Sequence, residues 1–582
     1  MDEILITVVT EDGGERLVPA PGAGDSSGKS LLEILQGAGV YIPAICGGRG
    51  TCGKCRIRLT AGELEPSAAC RAYFSEAEIE AGFRFACSVR PAASVTLAVP
   101  KDAEKEFHGV DSFDAVKQRI NALEREVFSL KKQALSFARQ AAGDRRGGLS
   151  LDELGRIAVL AETEGGTVSV YRERGRVAAV IHGKEAVYGI GVDIGTTTLA
   201  MALVDLESGE IKQRLSVVNK QREFGADVIS RMERAGKGDL SKMSGAVRAQ
   251  IAAGAETLCQ EEGVSGKAVV KFAIAGNTTM LHLLLNLSCA TLGVVPFTPV
   301  TLDFVSCAYR ELFEGDISCP VVILPGISTY VGADISAGLF FTELHKSAEP
   351  VFFMDIGTNG EMALVKDGKL LCTATAAGPA FEGGNILWGT GSVPGAISQA
   401  SYSGGKFDIK TIGGKPPAGI CGSAVIDIVY HGLLNGLIES SGKFAAGIGD
   451  LVLAKNPAGE EIKFIQKDVR ELQLAKSAIR SGMEALLHYT GTDSGAVKTL
   501  YIAGGFGFNM NFESGAGIGL IPQELKSRVS LIGNSSLGGT VKYLLDSGAG
   551  EKIEEIVGLS QEYSLPEDRY FNEIFIENVE FE

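Results

Sequence analysis

Four cysteines near the amino terminus have the residue type and spacing to hold a metal centre. Cys46, Cys52 and Cys55 lie within the ten-residue run CGGRGTCGKC, and 31 residues separate Cys55 from Cys87. Thiolates grouped in this way could bind zinc, form disulfides or ligate an iron–sulfur cluster. A zinc ribbon usually has two short C-x2-C knuckles, and this stretch has one. A close trio with one distant cysteine is instead the plant-type arrangement for a [2Fe–2S] cluster.

The composition around these cysteines supports an iron–sulfur site in a reducing compartment. Four of the ten residues are glycine, which lets the loop adopt left-handed conformations and brings backbone N–H groups near the sulfurs. The other cysteines of the chain are scattered without a framework. Scattered thiols are typical of the cytoplasm, so we expect a cytoplasmic protein without disulfides.

A second pattern occurs twice in the chain. The run YGIGVDIGTTTLAMALVD begins at Tyr188, and VFFMDIGTNGEMALVKDG begins at Val351. In each, an apolar strand ends in Asp-Ile-Gly-Thr and a second strand follows, and the two aspartates, Asp193 and Asp355, are 162 positions apart. This self-similarity predicts a duplicated α/β fold with a cleft between its halves.

The repeated turn has the chemistry of a phosphate site. A glycine-rich turn offers backbone N–H groups and hydroxyls to phosphate. The carboxylate at the strand end suits Mg²⁺, directly or through water, or could position an attacking water. A third piece, TLYIAGGFGFN, leads a strand into a Gly-Gly turn on which a nucleoside could lie flat. Four further polar turns are expected to line the same cleft, one around Asn277, one around Asp334, one that contains Glu382 and Asn385, and one around Ser423.

The elements between these motifs divide the chain into domains. We predict a domain over 1–97, a charged linker over 98–110, a middle domain over 111–186 and a large domain over 187–582, whose halves are about 187–348 and 349–582. The middle domain begins with apolar residues spaced alternately by three and four, which predicts a helix with a heptad seam. These are Phe113, Val116, Ile120, Leu123, Val127, Leu130, Ala134 and Phe137. Such a helix either packs on its own domain or forms a homodimer contact.

Other functions are disfavoured by composition. The formal net charge of −16 argues against nucleic acid, whose recognition needs a basic face. The uncharged stretch 272–302 is interrupted by polar residues, so we expect no membrane span. The chain has no Rossmann G-x-G-x-x-G between a strand and a helix, which disfavours a built-in nicotinamide or flavin reductase. It also lacks a D-x-H-x-x-G pattern, the cobalt-ligand motif of families that carry a corrinoid.

Two parts of the chain resemble known families. The run LLEILQGAGVYIPAICGGRGTCGKCRIRL, with RFACSVRP around the last cysteine, resembles the [2Fe–2S] ferredoxins, with the five-residue first gap of the vertebrate- and bacterial-type variant. This resemblance implies a β-grasp ferredoxin domain with Cys46, Cys52, Cys55 and Cys87 as ligands, and gives Cys70 no role. The two Asp-Gly turns and the Gly-Gly turn resemble the actin, sugar-kinase and Hsp70 superfamily, which has a duplicated RNase H-like ATPase fold.

The second resemblance implies roles for individual residues. Asp193 and Asp355 would be catalytic, with ATP and Mg²⁺ as cofactors. The residues expected to bind the phosphates are Gly195, Thr196, Thr197, Thr198, Asn277, Gly357, Thr358, Asn359 and Gly360. Those expected to contact adenosine are Gly504, Gly505 and Gly507.

Taken whole, the chain resembles the reductive activators of corrinoid proteins. The runs that carry this resemblance are FGADVISRM, GNTTMLHLLL, YVGADISAGL, MDIGTNGEM, AAGPAFEGGN, GICGSAVID, QLAKSAIRSG and IAGGFG. The family implies a multidomain α+β and α/β enzyme that couples ATP to one-electron reduction of an inactive Co(II) corrinoid protein to Co(I). Its electrons would come from an upstream reductase or a reduced ferredoxin. Two alternatives stay open: an activator of another low-potential metalloenzyme, such as a 2-hydroxyacyl-CoA dehydratase, and a redox-sensing binding protein.

Overall fold

The computed structural model describes most of the chain. The described residues are 4–10, 15–20, 29–38, 40, 42, 55–99, 113, 123–129, 151–158, 167–174, 176–182, 186–225, 227–457, 459–505 and 510–582. Cys46, Cys52 and Gly507, to which the sequence assigned ligand or adenosine roles, lie outside them.

The amino-terminal domain is a five-stranded sheet with short helices. Its strands lie in the order β2-β1-β5-β3-β4. Strands β1 and β5 run parallel, and the other neighbouring pairs run antiparallel. The strands are β1 (Ile4–Thr10), β2 (Glu15–Ala20), β3 (Arg56–Ala61), β4 (Phe83–Phe85) and β5 (Val95–Val99), and the helices are α1 (Leu31–Gly37), α2 (Ala68–Tyr73) and α3 (Glu76–Glu80). Alternate residues of β1 point into an apolar core that contains Ile6, Val8 and Leu97.

A three-stranded antiparallel sheet follows, and it corrects the predicted heptad helix. Its elements are β6 (Glu124–Ser129), α4 (Leu151–Ala158), β7 (Thr167–Glu173) and β8 (Arg176–His182), in the sheet order β6-β7-β8. The prediction of one helix through Val127 is therefore wrong, because residues 124–129 pair with β7. Backbone pairing with a neighbouring strand outweighs a local helical spacing. Phe113, the first seam residue, is buried against Phe341 in an edge-to-face contact with ring centroids 5.8 Å apart.

The large domain contains two six-stranded sheets, in which five strands have the same arrangement and the sixth lies at opposite edges. The first has the order β11-β10-β9-β12-β14-β13, and the second β24-β23-β15-β16-β17-β25. In the first sheet, β9 and β10 form an antiparallel hairpin, and β9 also pairs in parallel with β12. In the second sheet, β15 and β16 form the hairpin, and β15 pairs in parallel with β23. The duplicated fold predicted from the repeat is confirmed.

The first half provides the following elements. Its strands are β9 (Tyr188–Ile194), β10 (Thr198–Asp205), β11 (Ile211–Val218), β12 (Val269–Gly276), β13 (Val305–Ala308) and β14 (Pro320–Ile323). Its helices are α5 (Val228–Arg234), α6 (Leu240–Glu261), α7 (Thr278–Leu284), α8 (Tyr309–Leu312) and α9 (Ala333–Thr342).

The second half is built in the same way, with additional small sheets. Its main strands are β15 (Val351–Ile356), β16 (Gly360–Lys366), β17 (Lys369–Thr375), β23 (Thr499–Ala503), β24 (Val529–Gly533) and β25 (Ser560–Glu562). The small sheets contain β18 (Ala396–Ser403), β19 (Lys406–Thr411) and β20 (Gly419–Ile420), and β21 (Leu451–Lys455) with β22 (Glu461–Phe464). The helices are α10 (Gly422–Leu434), α11 (Gln466–Thr490), α12 (Phe512–Gly517), α13 (Ser535–Leu545), α14 (Ala549–Leu559) and α15 (Arg569–Glu577).

Helices α9 and α13 join the two halves at close range. A Cβ added to Gly539 would lie 2.2 Å from the carbonyl oxygen of Ala337, and one added to Gly338 would lie 2.7 Å from Ser535 Oγ. Only glycine permits this approach without displacing the backbone. No helix of the described residues is long and apolar enough to cross a bilayer.

Candidate nucleotide cleft and iron–sulfur site

Both Asp-Gly turns face one cleft between the halves of the large domain. Asp193 lies near the carboxyl end of β9 and Asp355 near that of β15, so each lies at the end of a central strand of its own sheet. The cleft has a cavity of about 210 Å³. Predicted residues that line it are Asp193, Gly195, Thr196, Thr197, Thr198, Asn277, Asp355, Gly357, Thr358, Asn359, Gly504 and Gly505. Gly360 begins β16 directly after the second turn.

Not every polar turn expected in the cleft reaches it. Asp334 and Glu382 line the cavity. Asn385 instead donates a hydrogen bond to Glu471 (3.1 Å), and the Ser423 hydroxyl donates to the carbonyl of Ser398 (2.8 Å). These two residues stabilise the surrounding loops rather than the cleft wall.

The Asp193 carboxylate is held by side chains from the opposite half. Asn534 Nδ2 donates to Asp193 Oδ2 at 2.9 Å, and Ser536 Oγ donates to Asp193 Oδ1 at 2.7 Å. Asn534 also caps α13, because its side-chain oxygen accepts from the N–H of Leu537 (2.8 Å). Burial raises the pKa of Asp193, and the two donors oppose that rise. No motif in the sequence points to either donor.

The cleft concentrates buried carboxylates. Burial, followed by the charge of Asp193, raises the pKa of Asp334 to about 8 and that of Asp355 to about 7. Burial and the neighbouring Asp334 and Asp355 also raise the pKa of Glu361, which lies opposite Asp355 in the β15–β16 ladder. Such a crowd of acids is stabilised by protonation or by a cation.

These carboxylates fit a magnesium–nucleotide complex better than a bare ion. Within the described ranges, no three His, Cys, Asp or Glu side chains converge into a group that could hold a metal ion. Mg²⁺ commonly keeps several waters and binds through one or two carboxylates and the substrate phosphates. The two Asp-Gly turns place a carboxylate and a glycine-containing turn together at the cavity.

Buried side chains fix the first turn from behind. Arg231 on α5 donates to the carbonyl of Thr196, and its Nε donates to the carbonyl of Gly225 at 2.9 Å. Asn219 Nδ2 donates to the carbonyl of Gly195 (2.8 Å), and Asn277 Nδ2 donates to Thr196 Oγ1 (3.1 Å). Burial lowers the pKa of Arg231 to about 9. The run FGADVISRM contains Arg231, but its spacing does not reveal this contact.

The second turn is anchored within its own half. Thr358 Oγ1 donates to Glu382 Oε2 at 3.0 Å, and the N–H of Gly378 donates to the carbonyl of Thr358 at 2.9 Å. Gly504 adopts φ +88°, and a Cβ there would lie 2.6 Å from Asp355 Oδ1. A larger residue at position 504 is therefore excluded both by the positive φ and by the adjacent Asp355 carboxylate.

Two of the four predicted cluster ligands are described, and they lie side by side. Cys55 precedes β3 and Cys87 follows β4, and these strands pair with Arg56 opposite Phe85. The N–H of Ala86 donates to the carbonyl of Cys55 at 2.9 Å, which places the two cysteines at one end of the ladder. Both are buried, at 1% and 8% exposure, as suits a cluster shielded from water. This placement fits a shared iron–sulfur site.

Family models match most of the chain. Residues 24–92 match the 2Fe-2S iron-sulfur cluster binding domain, 188–347 the RACo middle region, and 349–582 the C-terminal domain of RACo, described as the ASKHA domain. A solved structure titled "Reductive activator for corrinoid,iron-sulfur protein" has 30% sequence identity, covers 99% of this chain and 98% of its own, and has a TM-score of 0.72. The chain belongs to the family of reductive activators of corrinoid proteins.

Curated relatives of the family agree with this assignment. The corrinoid activation enzyme RamQ of Eubacterium limosum is 29% identical over 587 residues, which cover 96% of this chain and 97% of the relative. The [Co(II) methylated amine-specific corrinoid protein] reductase of Methanosarcina barkeri is 26% identical over 401 residues, which cover 63% and 72%. The predicted ferredoxin domain and the actin, sugar-kinase and Hsp70-type domain are both confirmed, and so are a [2Fe–2S] cluster and ATP as cofactors.

Proposed function

We propose that this chain is an ATP-dependent reductive activator that transfers one electron from its [2Fe–2S] cluster to an inactive Co(II) corrinoid protein. The product is the Co(I) form required for methyl transfer. The observation that carries this function is the full-length match to a reductive activator, which includes the cluster domain and the nucleotide domain in one chain.

The cleft residues divide the work on ATP. The turns after Asp193 and Asp355 would bind the phosphates through their N–H groups and through the hydroxyls of Thr196 and Thr198, since those of Thr197 and Thr358 hydrogen-bond Glu382. The two carboxylates would hold hydrated Mg²⁺ or orient the attacking water. Asn534 and Ser536 would keep Asp193 ionised and correctly oriented, since they donate to both of its oxygens. Gly504 and Gly505 would leave space for the adenosine beside Asp355.

The cluster would be held by Cys46, Cys52, Cys55 and Cys87. It supplies a one-electron donor, and the buried positions of Cys55 and Cys87 keep water from its sulfurs. Cys70, which lies outside the ligand pattern, accepts a hydrogen bond from the N–H of Phe85 at 3.3 Å. Its role is thus in packing beneath the β3–β4 ladder.

The finer partners belong to the same proposal. The electron acceptor would be the corrinoid subunit of a methyltransferase or a corrinoid iron–sulfur protein, and the donor an upstream reductase or reduced ferredoxin. The scattered buried cysteines of the large domain support a cytoplasmic site of action. A homodimer remains a prediction that light scattering can test, although the strand at 124–129 removes part of the heptad seam behind it.

The decisive experiment follows the visible spectrum of a candidate corrinoid protein. The holoprotein, a low-potential reductant and MgATP should together produce the Co(I) band, and omission of ATP should abolish it. Cys87→Ser should lose the cluster spectrum and the reduction but keep ATP binding. Asp193→Asn should keep the cluster spectrum and lose hydrolysis. Equal Co(I) formation with and without ATP would refute the coupling.

A further inference from the structure

The residue that follows a predicted cluster ligand contacts the nucleotide domain. Arg56 comes directly after Cys55 and begins β3. Its guanidinium lies 4.9 Å from the ring centroid of Phe83 and 5.2 Å from that of Phe74, both in the ferredoxin domain. It also lies 5.7 Å from the ring centroid of Trp388 in the large domain. Tryptophan is the best ring for such a cation–π contact, and arginine is the cation most often found in one.

Trp388 is attached directly to the wall of the nucleotide cleft. Its carbonyl accepts from the N–H of Ile420 at 2.7 Å, and the N–H of Thr390 donates to the carbonyl of Ile420 at 2.8 Å. Beyond these bonds, both segments enter the cleft, one through 390–392 and the other through 421–422. Trp388 is thus two residues from Thr390 of the cavity wall, and its hydrogen-bond partner Ile420 is one residue from Cys421 of that wall.

The loop that carries Trp388 is too tightly packed to absorb a displacement. A Cβ on Gly389 would lie 2.1 Å from the carbonyl oxygen of Gly383, and one on Gly383 would lie 2.5 Å from that of Thr390. The residue before Gly383 is Glu382, which accepts the hydrogen bond from Thr358 of the second phosphate turn. A shift of that turn is therefore transmitted to Trp388, because closely packed segments move together.

Arg56 is also suited to a contact that forms and breaks. Its Nη2 lies 3.4 Å from Glu78 Oε1, so an ion pair within the ferredoxin domain supports the cation. The rings of Phe74 and Phe83 do the same. Separation from Trp388 would leave the arginine with partners in its own domain, which keeps the cost of release low.

We propose that the Arg56–Trp388 contact docks the ferredoxin domain on the nucleotide domain, and that nucleotide occupancy of the cleft changes this docking. The inference rests on the proposed function, since it gives ATP a route to the position of the cluster. It assigns Arg56 and Trp388 a positioning role, because neither contacts the nucleotide or supplies a cluster ligand.

Trp388 is the single tryptophan of the chain, so the tryptophan emission of the protein comes from this residue. An iron–sulfur cluster absorbs in the range of tryptophan emission and quenches a nearby indole. In the wild-type holoprotein, a non-hydrolysable ATP analogue should change the Trp388 emission. In Arg56→Gln, we expect higher emission without nucleotide and loss of the nucleotide-dependent change, with the visible cluster spectrum retained and the analogue still bound at saturating concentration.

The matched control is Arg58→Gln, two residues along the same strand. Arg58 lies over Phe83 at 6.0 Å and donates to the carbonyl of Ala81, both in the ferredoxin domain. Arg58→Gln removes one positive charge, as Arg56→Gln does, but the Trp388 emission and its response to nucleotide should stay as in the wild type. If Arg56→Gln and Arg58→Gln behave alike, the docking contact is refuted.

A second measurement does not depend on the fluorophore or on the Arg56 variant folding. Small-angle scattering of Trp388→Ala should give a larger radius of gyration than the wild type, with no response to nucleotide. An unchanged radius with an intact response overturns the proposal. If the wild-type protein forms Co(I) with ATP, but the variants change neither the emission nor the scattering, the docking contact alone is refuted. Wild-type protein that never forms Co(I) refutes the proposed function, and the two physical measurements then decide the contact separately.

Discussion

Removal of the Ser536 hydroxyl should shift the pH dependence of ATP hydrolysis. Ser536 Oγ donates to Asp193 Oδ1 at 2.7 Å across the two halves of the large domain. In Ser536→Ala, Asn534 still donates to the other oxygen, and the carboxylate stays buried. Because burial already raises the pKa of Asp193, the loss of a donor to its charged form raises that pKa further.

The size of the effect follows from the charge on the acceptor. A hydrogen bond to a charged group contributes about 1.5–3 kcal/mol. Since about 1.36 kcal/mol corresponds to one pH unit, the acid limb of hydrolysis should move upward by roughly one to two units. The rate of Ser536→Ala should fall most at low pH and approach that of the wild type in alkaline solution.

The assay is steady-state phosphate release over a pH series with saturating MgATP. Ser535→Ala is the matched control, because its buried hydroxyl has no hydrogen-bond partner among the described residues. That variant should keep the wild-type profile. If Ser536→Ala loses activity equally at every pH, or keeps the wild-type limb, the hydroxyl does not act through the ionisation of Asp193.

Three further changes test other parts of the cleft. Gly504→Ala should abolish nucleotide binding, because its methyl group would lie against the Asp355 carboxylate. Gly368 also has a positive φ but lies in open space, so Gly368→Ala should lower stability and leave nucleotide binding unchanged. Calorimetry of both variants measures these effects. Asp334→Asn should flatten the pH dependence of thermal stability in nucleotide-free protein. The folded-state pKa of Asp334 is raised to about 8, so its stabilisation is complete below its unfolded value of 3.8 and is lost as the pH rises through about 8. A variant whose melting temperature falls as steeply as that of the wild type from pH 5 to 8 would contradict this. Arg231→Gln should lower the free energy of unfolding by about 2–4 kcal/mol, since a buried carbonyl and a partly buried one lose their donor. It should also weaken nucleotide binding. Urea titration and fluorescent-nucleotide binding measure the two effects, and unchanged values would contradict the assigned role.

The sequence predicted those cleft residues that lie on consecutive elements of the chain. Asp193 and Asp355 could be found because a strand, a glycine turn and a second strand are consecutive in sequence and occur twice. Ser536 could not, because it lies 343 positions from Asp193 and reaches it only through the packing of α13 between the halves. The capping asparagine Asn534 starts a helix like any other, and nothing in the run NSS distinguishes a cap from a donor to Asp193.

The error over residues 124–129 has the same origin. Val127 fits a heptad seam, but it lies on a strand and is 41% exposed. The partner that makes this segment a strand is β7, about 40 positions later, so its hydrogen bonds are invisible to a local periodicity. Phe113 is buried against Phe341 of the large domain, and Leu123 packs against the same apolar cluster, so their apolar character reflects a core contact instead of a coiled coil.

Electron transfer to an acceptor of lower potential than the cluster is uphill, and contact energies limit what each part of the molecule can contribute to it. A one-electron step loses a factor of ten in its equilibrium constant for about each 59 mV uphill. A cation–π contact contributes about 0.5–2 kcal/mol, so the Arg56–Trp388 pair could change the docked population by roughly two- to thirty-fold. That range suffices to control when the cluster docks, but it cannot offset a difference of more than about 90 mV between the reduction potentials of the cluster and the acceptor. A ligand shifts an equilibrium only by its differential affinity for the two states. A larger gap must therefore be offset by ATP hydrolysis in the carboxylate-lined cleft or by a change in the cobalt environment of the bound partner, while docking sets the timing.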